Sequence, residues 1–280
     1  MWVLKEWKKE MYKLIAIDMD GTLLNDQHHV TPGVKEALQQ AKAEGATVVL
    51  CTGRPLGGVT RYLLELELTT EDDYVIAYNG ALVQNTHTNE NVVSLTLGYQ
   101  DLLDLSNVAA DLQTPMHFFD QQKLYTFDKD VSPYTVYESY VTQVPLSFRT
   151  KDEFDEDIVL PKIMFIDDPE KLEKTKASIP NHIKERYEMV QSAPFFLEIL
   201  HKEASKGNAV KHLAEKLGIA QEEVMCIGDN GNDLSMIQYA GCGVAMENAI
   251  PALKEAADFI TKSNNEDGVA YAIQTKMRKS

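Results

Sequence analysis

Lys13-Leu14-Ile15-Ala16-Ile17-Asp18-Met19-Asp20-Gly21-Thr22-Leu23-Leu24 is an apolar run the length of one buried strand, ending in two carboxylates, a glycine and a threonine. Gly21 is the natural place for that strand to stop. Successive strand side chains alternate, so Asp18 and Asp20 are expected on one side and Met19 on the other. Two like charges placed there repel unless a cation lies between them or one binds a proton. A buried unpaired charge is costly, and core strands seldom carry one. The pair therefore reads as functional, with a metal as its suspected partner, rather than as an ordinary acidic turn.

Outward from this stretch the chain alternates strands and helices. Thr31-Pro32 marks a helix start, with the helix running through Ala43 and ending at Gly45. The β-rich segment 46–51 stops at Thr52-Gly53-Arg54-Pro55, a helix is expected over 59–66, and a strand over 74–77 closes at Asn79-Gly80. This rhythm predicts a parallel sheet flanked by helices. From about residue 81 it changes. Short strands are expected at 92–97, 116–119, 124–127, 162–166 and 188–191, with helices at 102–112, 134–141 and 169–179. That stretch reads as an inserted α+β unit of ordinary domain size. Alternation resumes with a strand at 196–200 and a helix from Lys206, capped by Ser205 and followed by Gly218. A buried strand at 224–227 is then broken by Gly228-Asp229-Asn230-Gly231-Asn232-Asp233.

The bulk properties exclude several classes. The 280 residues, 44% hydrophobic and 25% charged, allow one large domain or two ordinary ones. No apolar run approaches the ~18–20 residues of a membrane span. Residues 1–12, with Trp2 and Trp7, lack the apolar region of a secretory signal and are expected to be an N-terminal extension. A net charge of −16 argues against nucleic acid or an anionic membrane as partner. Cys51, Cys226 and Cys242 form no C-x-x-C pair and suit a reducing cytoplasm.

Polar groups thus stand at several strand or helix ends: Asp18 and Asp20; Thr52 and Gly53; Lys206; Asp229, Asn232 and Asp233. In an open α/β sheet, ligands bind outside the carboxyl ends of the parallel strands, where these segments should converge. The Asp229 loop is no EF-hand, because Leu234 and Ala240 occupy the positions of the required glycine and glutamate. Neither nucleotide-binding glycine motif is present. The chemistry that unites the set is phosphoryl transfer to a carboxylate. Mg²⁺ held by Asp18, Asp229 and a backbone carbonyl, together with Lys206, would neutralise a phosphate monoester. The Thr52 hydroxyl and the amides after Asp18 and at Gly53 would donate to its oxygens. Asp18 would attack phosphorus, and Asp20 would carry protons to the leaving alcohol and from water. The cation travels with the site, so an acidic protein can accept an anionic substrate.

Asp18-Met19-Asp20-Gly21-Thr22, Thr52-Gly53-Arg54, Lys206-Gly207 and Gly228-Asp229-x-x-Asn232-Asp233 resemble the four ordered motifs of the haloacid dehalogenase-like hydrolases. The position of the insert, with Asn79-Gly80-Ala81 and Phe195-Phe196-Leu197-Glu198-Ile199 at its borders, is similar to the Cof-type phosphatases, and most to the bacterial sugar-phosphate phosphatases. The resemblance implies a Rossmann-like core, residues 13–82 and 194–280, and an inserted α/β cap over 83–193 that sets specificity. It implies Asp18 as nucleophile and Asp20 as acid/base. Asp18, the Asp20 carbonyl and Asp229 would be the Mg²⁺ ligands, with Asp233 supporting the metal from behind them. The Met19 backbone, Thr52, Gly53, Lys206 and Asn232 would contact phosphate. Gly231 departs from the glutamate usual in relatives and Asn208 from a commoner threonine, which bears on metal affinity and substrate contacts. The expected partner is a small phosphorylated metabolite. A sugar phosphomutase and a phospho-accepting signalling protein are the rival readings. A switch would not need Asp20 as an acid, nor a cap to close over a substrate.

Overall fold

The apolar runs become strands in two sheets. In a computed structural model that describes residues 11–277, the first five strands are β1 (Leu14–Ile17), β2 (Thr47–Cys51), β3 (Tyr74–Ala77), β4 (Leu82–Asn85) and β5 (Asn91–Ser94). Next come β6 (Met116–Phe119), β7 (Leu124–Thr126), β8 (Leu146–Phe148), β9 (Lys162–Ile166), β10 (Tyr187–Ala193) and β11 (Phe196–His201). The last are β12 (Val224–Gly228), β13 (Cys242–Ala245) and β14 (Phe259–Ile260). Most of the expected extension, with Trp2 and Trp7, lies outside the described residues.

The larger sheet has the order β14-β13-β12-β1-β2-β3-β4-β5. It is parallel from β14 through β3, and β4 and β5 extend it as an antiparallel edge. Every residue of β1, β12 and β13 is buried, which places these strands mid-sheet under helices on both faces. The chain leaves β1 toward β2 and β3, then returns to β12 on the other flank. The carboxyl ends of β1 and β12 therefore meet at the point where strand order reverses, the crevice such sheets use for ligands. Ile17 lies opposite both Leu50 and Ile227, so the residues after these strands emerge side by side.

The helix Lys206–Leu217 starts where Ser205 Oγ accepts the Asn208 N–H at 3.1 Å, and it ends at left-handed Gly218. It buries Ala209, Val210, Leu213 and Ala214 in the main core. No helix among the described residues is long and apolar enough to cross a membrane.

The smaller sheet, order β10-β11-β9-β6-β7-β8, is antiparallel except between β7 and β8. One face packs with Leu102, Leu105, Phe118 and Phe165. The other, through Phe119, Met164, Ile166 and Leu200, joins Ala77, Tyr78 and Leu82 of the larger sheet in a shared apolar cluster. Sheet membership differs from the expected limits of 83 and 193. β4 and β5 stay with the larger sheet, because the turn at Tyr78–Gly80 folds β4 straight back onto β3. β11, expected to return to the core, is instead bonded to β9 and β10 on its two edges. β8 and the helix Asn181–Arg186 had no counterpart among the expected elements. Both are short and carry mostly partly exposed or exposed residues, so neither has a strong apolar period.

Three consecutive residues make that turn with positive φ: Tyr78 at 51°, Asn79 at 55° and Gly80 at 96°. A β-carbon on Gly80 would lie 2.2 Å from the Ser205 carbonyl oxygen, so only glycine lets the turn reach the start of the Lys206 helix.

His117 on β6 is fully buried, with Nδ1 at 3.1 Å from Thr135 Oγ1 and Nε2 at 3.1 Å from Met164 Sδ. Burial, and then the Lys162 ammonium, hold its pKa well below the usual value. The unfolded chain takes up this proton below about pH 6.5 and the folded chain does not, so stability is present above that pH and lost as pH falls. His117→Gln should flatten urea-unfolding stability between pH 7 and 5 by up to ~1.4 kcal/mol per pH unit relative to the parent. Parallel curves for the two proteins would contradict the assignment.

Candidate active site

β1 ends at Ile17, and Asp18 is drawn in beside β12 as its N–H donates to the Ile227 carbonyl at 2.9 Å. On the other flank the Thr52 N–H donates to the Ile76 carbonyl at 2.9 Å, which holds the end of β2 level with it. Lys206, at the first turn of its helix, is 1% exposed and reaches between two acids. Its Nζ lies 2.5 Å from Asp18 Oδ1 and 2.5 Å from Asp233 Oδ1. The other Asp233 oxygen accepts the N–H groups of Asp229 at 2.9 Å and Asn230 at 3.0 Å. Asp233 thus has both oxygens engaged, and it shapes the loop that carries Asp229. Asp229 Oδ1 accepts the Thr22 hydroxyl at 2.8 Å.

Oxygens of Asp18, Asp229 and Asp233 all lie within 4.8 Å of one another. Burial, then Asp233, drives the Asp18 carboxyl well above the usual range, against the opposing pull of Lys206. Burial raises Asp229 as well. Burial alone would lower Lys206, but Asp18 and Asp233 outweigh it and raise the ammonium. Three carboxylates face one ammonium, a set short of positive charge. The donors are oxygens only, with no imidazole or thiolate among them, which fits a hard divalent cation. Gly21 permits the approach: at φ 80°, its β-carbon would sit 2.6 Å from Asp229 Oδ2.

A cavity of about 770 Å³ opens beside Asp18 and Lys206; Asp18, Asp20, Thr52, Gly53, Lys206 and Asn232 line it, while Asp229 and Asp233 stand behind its wall. Met19 is fully buried with its side chain in the main core, and it does not line the cavity. Asp18 and Asp20 both face the cavity while Met19 turns into the core, as alternation predicts, although the strand itself ends at Ile17. The Asp20 carboxylate is half exposed and paired with Arg54, through Nε at 2.8 Å and Nη2. Asn208 is not on the cavity wall; its amide donates to the Glu203 carbonyl at 2.8 Å and braces the helix start. Gly231 has room for a side chain, since a β-carbon there would meet only Ile250 Cδ1 at 3.9 Å.

The far wall comes from the smaller sheet and the helix Pro133–Thr142, and the site residues there escaped the reading of the sequence. Lys162 Nζ stands 3.1 Å from Glu198 Oε1 and 3.5 Å from Glu138 Oε1, all three buried. The available signal was one charge in each of two otherwise apolar strands, Lys162-Ile163-Met164-Phe165-Ile166 and Phe196-Leu197-Glu198-Ile199-Leu200. Such charges persist in a core only when paired.

Removing Lys206 would leave two buried carboxylates without their cation. Lys206→Met should cost about 3–5 kcal/mol in urea unfolding with chelator present. A loss under about 1 kcal/mol would show that these ion pairs do not hold the site together.

A family model described as haloacid dehalogenase-like hydrolase matches residues 15–273. YxeH of Bacillus subtilis (strain 168), whose name gives a phosphatase class and no substrate, is 68% identical over 263 residues, covering 94% of this chain and 97% of its own length. YwtE of the same organism, named a 5-amino-6-(5-phospho-D-ribitylamino)uracil phosphatase, is 34% identical over 286 residues, covering 93% of this chain and 96% of its own. Among solved structures, a haloacid dehalogenase-like hydrolase from Bacteroides thetaiotaomicron superposes with a TM-score of 0.85 at 31% identity, covering 94% of this chain and 99% of that one.

Proposed function

From a chain that belongs to the haloacid dehalogenase-like hydrolases and is a phosphatase, we propose a narrower activity: Mg²⁺-dependent hydrolysis of small phosphate monoesters, sugar phosphates foremost, through an aspartyl phosphate on Asp18. The observation that carries this reading is the contact of Asp18 with Lys206 on one cavity wall shared with Thr52, Gly53, Asn232 and Asp20. Lys206, the Thr52 hydroxyl, the Asn232 amide and the backbone amides of Met19 and Gly53 would hold the phosphoryl oxygens. Asp18 would attack phosphorus as the bond to the leaving oxygen breaks, with Asp20 giving that oxygen a proton. Water would then attack the aspartyl phosphate, yield its proton to Asp20 and release inorganic phosphate. Asp20 is held by Arg54 in this structure, so its work as an acid requires that pair to open. Asp18, Asp229 and the Asp20 carbonyl would hold Mg²⁺, with Asp233 bracing the loop behind them; when bound, the ion supplies charge that offsets the phosphate and carboxylates.

Two features support a polyhydroxy leaving group. The cavity is of a size that takes a small phosphorylated metabolite. Its far wall offers carboxylates and an ammonium, which accept from and donate to hydroxyls. YwtE, by its name, acts on a phosphorylated ribityl compound. The three cysteines are free and buried, in keeping with a reducing cytoplasm.

Asp18→Asn should lower turnover by more than about 10³-fold, and complete metal removal by chelator should do the same until Mg²⁺ is restored. Undiminished turnover in either experiment would refute the mechanism. In a steady-state panel, sugar phosphates should show higher kcat/KM than pyridoxal phosphate or flavin mononucleotide.

A further inference from the structure

A line of polar side chains, buried except at its partly exposed end, Asn232, runs from the cap-side wall to the phosphate wall of the cavity. Lys162 pairs with Glu198, and Glu198 Oε2 accepts from Asn79 Nδ2 at 2.8 Å. Asn79 Oδ1 in turn accepts from Asn232 Nδ2 at 3.0 Å. Asn79 is 2% exposed and belongs to the left-handed turn between β3 and β4, beside the apolar cluster shared by the two sheets. Asparagine tolerates that backbone better than most residues, and it alone there also supplies an amide with a donor edge and an acceptor edge. Gly53 leaves it space, since a β-carbon on Gly53 would meet the Asn79 amide at 3.0 Å.

The order of donors along this line has one solution. A carboxylate paired with an ammonium only accepts, so the Asn79 –NH₂ must face Glu198 and its oxygen must face Asn232. Asn232 must then offer its –NH₂ to Asn79, which leaves the second hydrogen of that group for the cavity. The orientation of the amide at the phosphate wall is thereby set by a charge on the opposite wall. We propose that Asn79 is a positioning residue: held by Glu198, it fixes the Asn232 amide with its donor edge toward the phosphoryl group, and so ties the leaving-group wall to the phosphate wall. The inference rests on the phosphoryl role given to Asn232 above.

The test uses the full-length enzyme with Mg²⁺, a sugar phosphate as substrate and inorganic phosphate as inhibitor. Asn232→Ala and Asn79→Ala should each weaken phosphate inhibition and lower kcat/KM by on the order of 10- to 100-fold. The double variant should be no worse than the poorer single one, because both act through one contact. Glu198→Gln, which keeps the shape but frees the direction of the chain, should weaken phosphate inhibition in the same sense and by less, and it serves if Asn79→Ala does not fold. Losses that multiply in the double variant would overturn the relay. So would unchanged phosphate inhibition in Asn79→Ala or Glu198→Gln while Asn232→Ala is impaired. Unchanged inhibition in Asn232→Ala would overturn the role of Asn232 and the relay with it, leaving the Asp18 chemistry to stand on its own variant.

Discussion

A single buried ammonium, that of Lys206, sits between Asp18 and Asp233 and makes the rest of the site possible. Without it, three carboxylates would crowd the end of a buried strand with no internal counter-charge. With it, Asp233 can be spent on the backbone, where it closes the Asp229 loop through two N–H groups. Asp18 keeps one oxygen on Lys206 and the other clear of that contact. The residual excess of negative charge is what a hard cation would relieve.

That arrangement depends in turn on where the Lys206 helix begins. The helix start is packed against the Tyr78–Asn79–Gly80 turn so closely that Gly80 can carry no side chain. The same turn sends β4 back along β3 and presents Asn79 to both Glu198 and Asn232. The apolar cluster around Tyr78, Phe119, Met164 and Phe196 holds the two sheets against each other at this point. Backbone strain at the two left-handed non-glycine residues, Tyr78 and Asn79, is therefore located at the seam between the two sheets, where packing on both sides over-determines it.

Much of the cavity wall around Asp18 was legible because its residues sit in local patterns. Asp18 and Asp20 interrupt an apolar run, Ser205 announces the helix that carries Lys206, and Asp229, Asn232 and Asp233 share one short loop. The far wall was hidden for a different reason. Lys162, Glu198 and Glu138 lie far apart in the chain; the apolar strands around Lys162 and Glu198 mark each as a charge in need of a partner, but no local pattern says which partner it finds. β11 was misplaced because an apolar strand does not state which sheet it will join. Only its two antiparallel neighbours decide that.

Sequence alone determined the alternation of strands and helices, the parallel core, the carboxylate pair and the family. These follow from periodicity, caps and short-range motifs, which are properties of neighbouring residues. Tertiary structure alone decided which sheet β4, β5 and β11 belong to, that Arg54 holds Asp20, and that Lys162, Glu198, Asn79 and Asn232 form one line across the cavity. Those facts rest on pairing buried charges and amides between distant segments, and such pairs exist only once the segments have been brought together and water has been excluded.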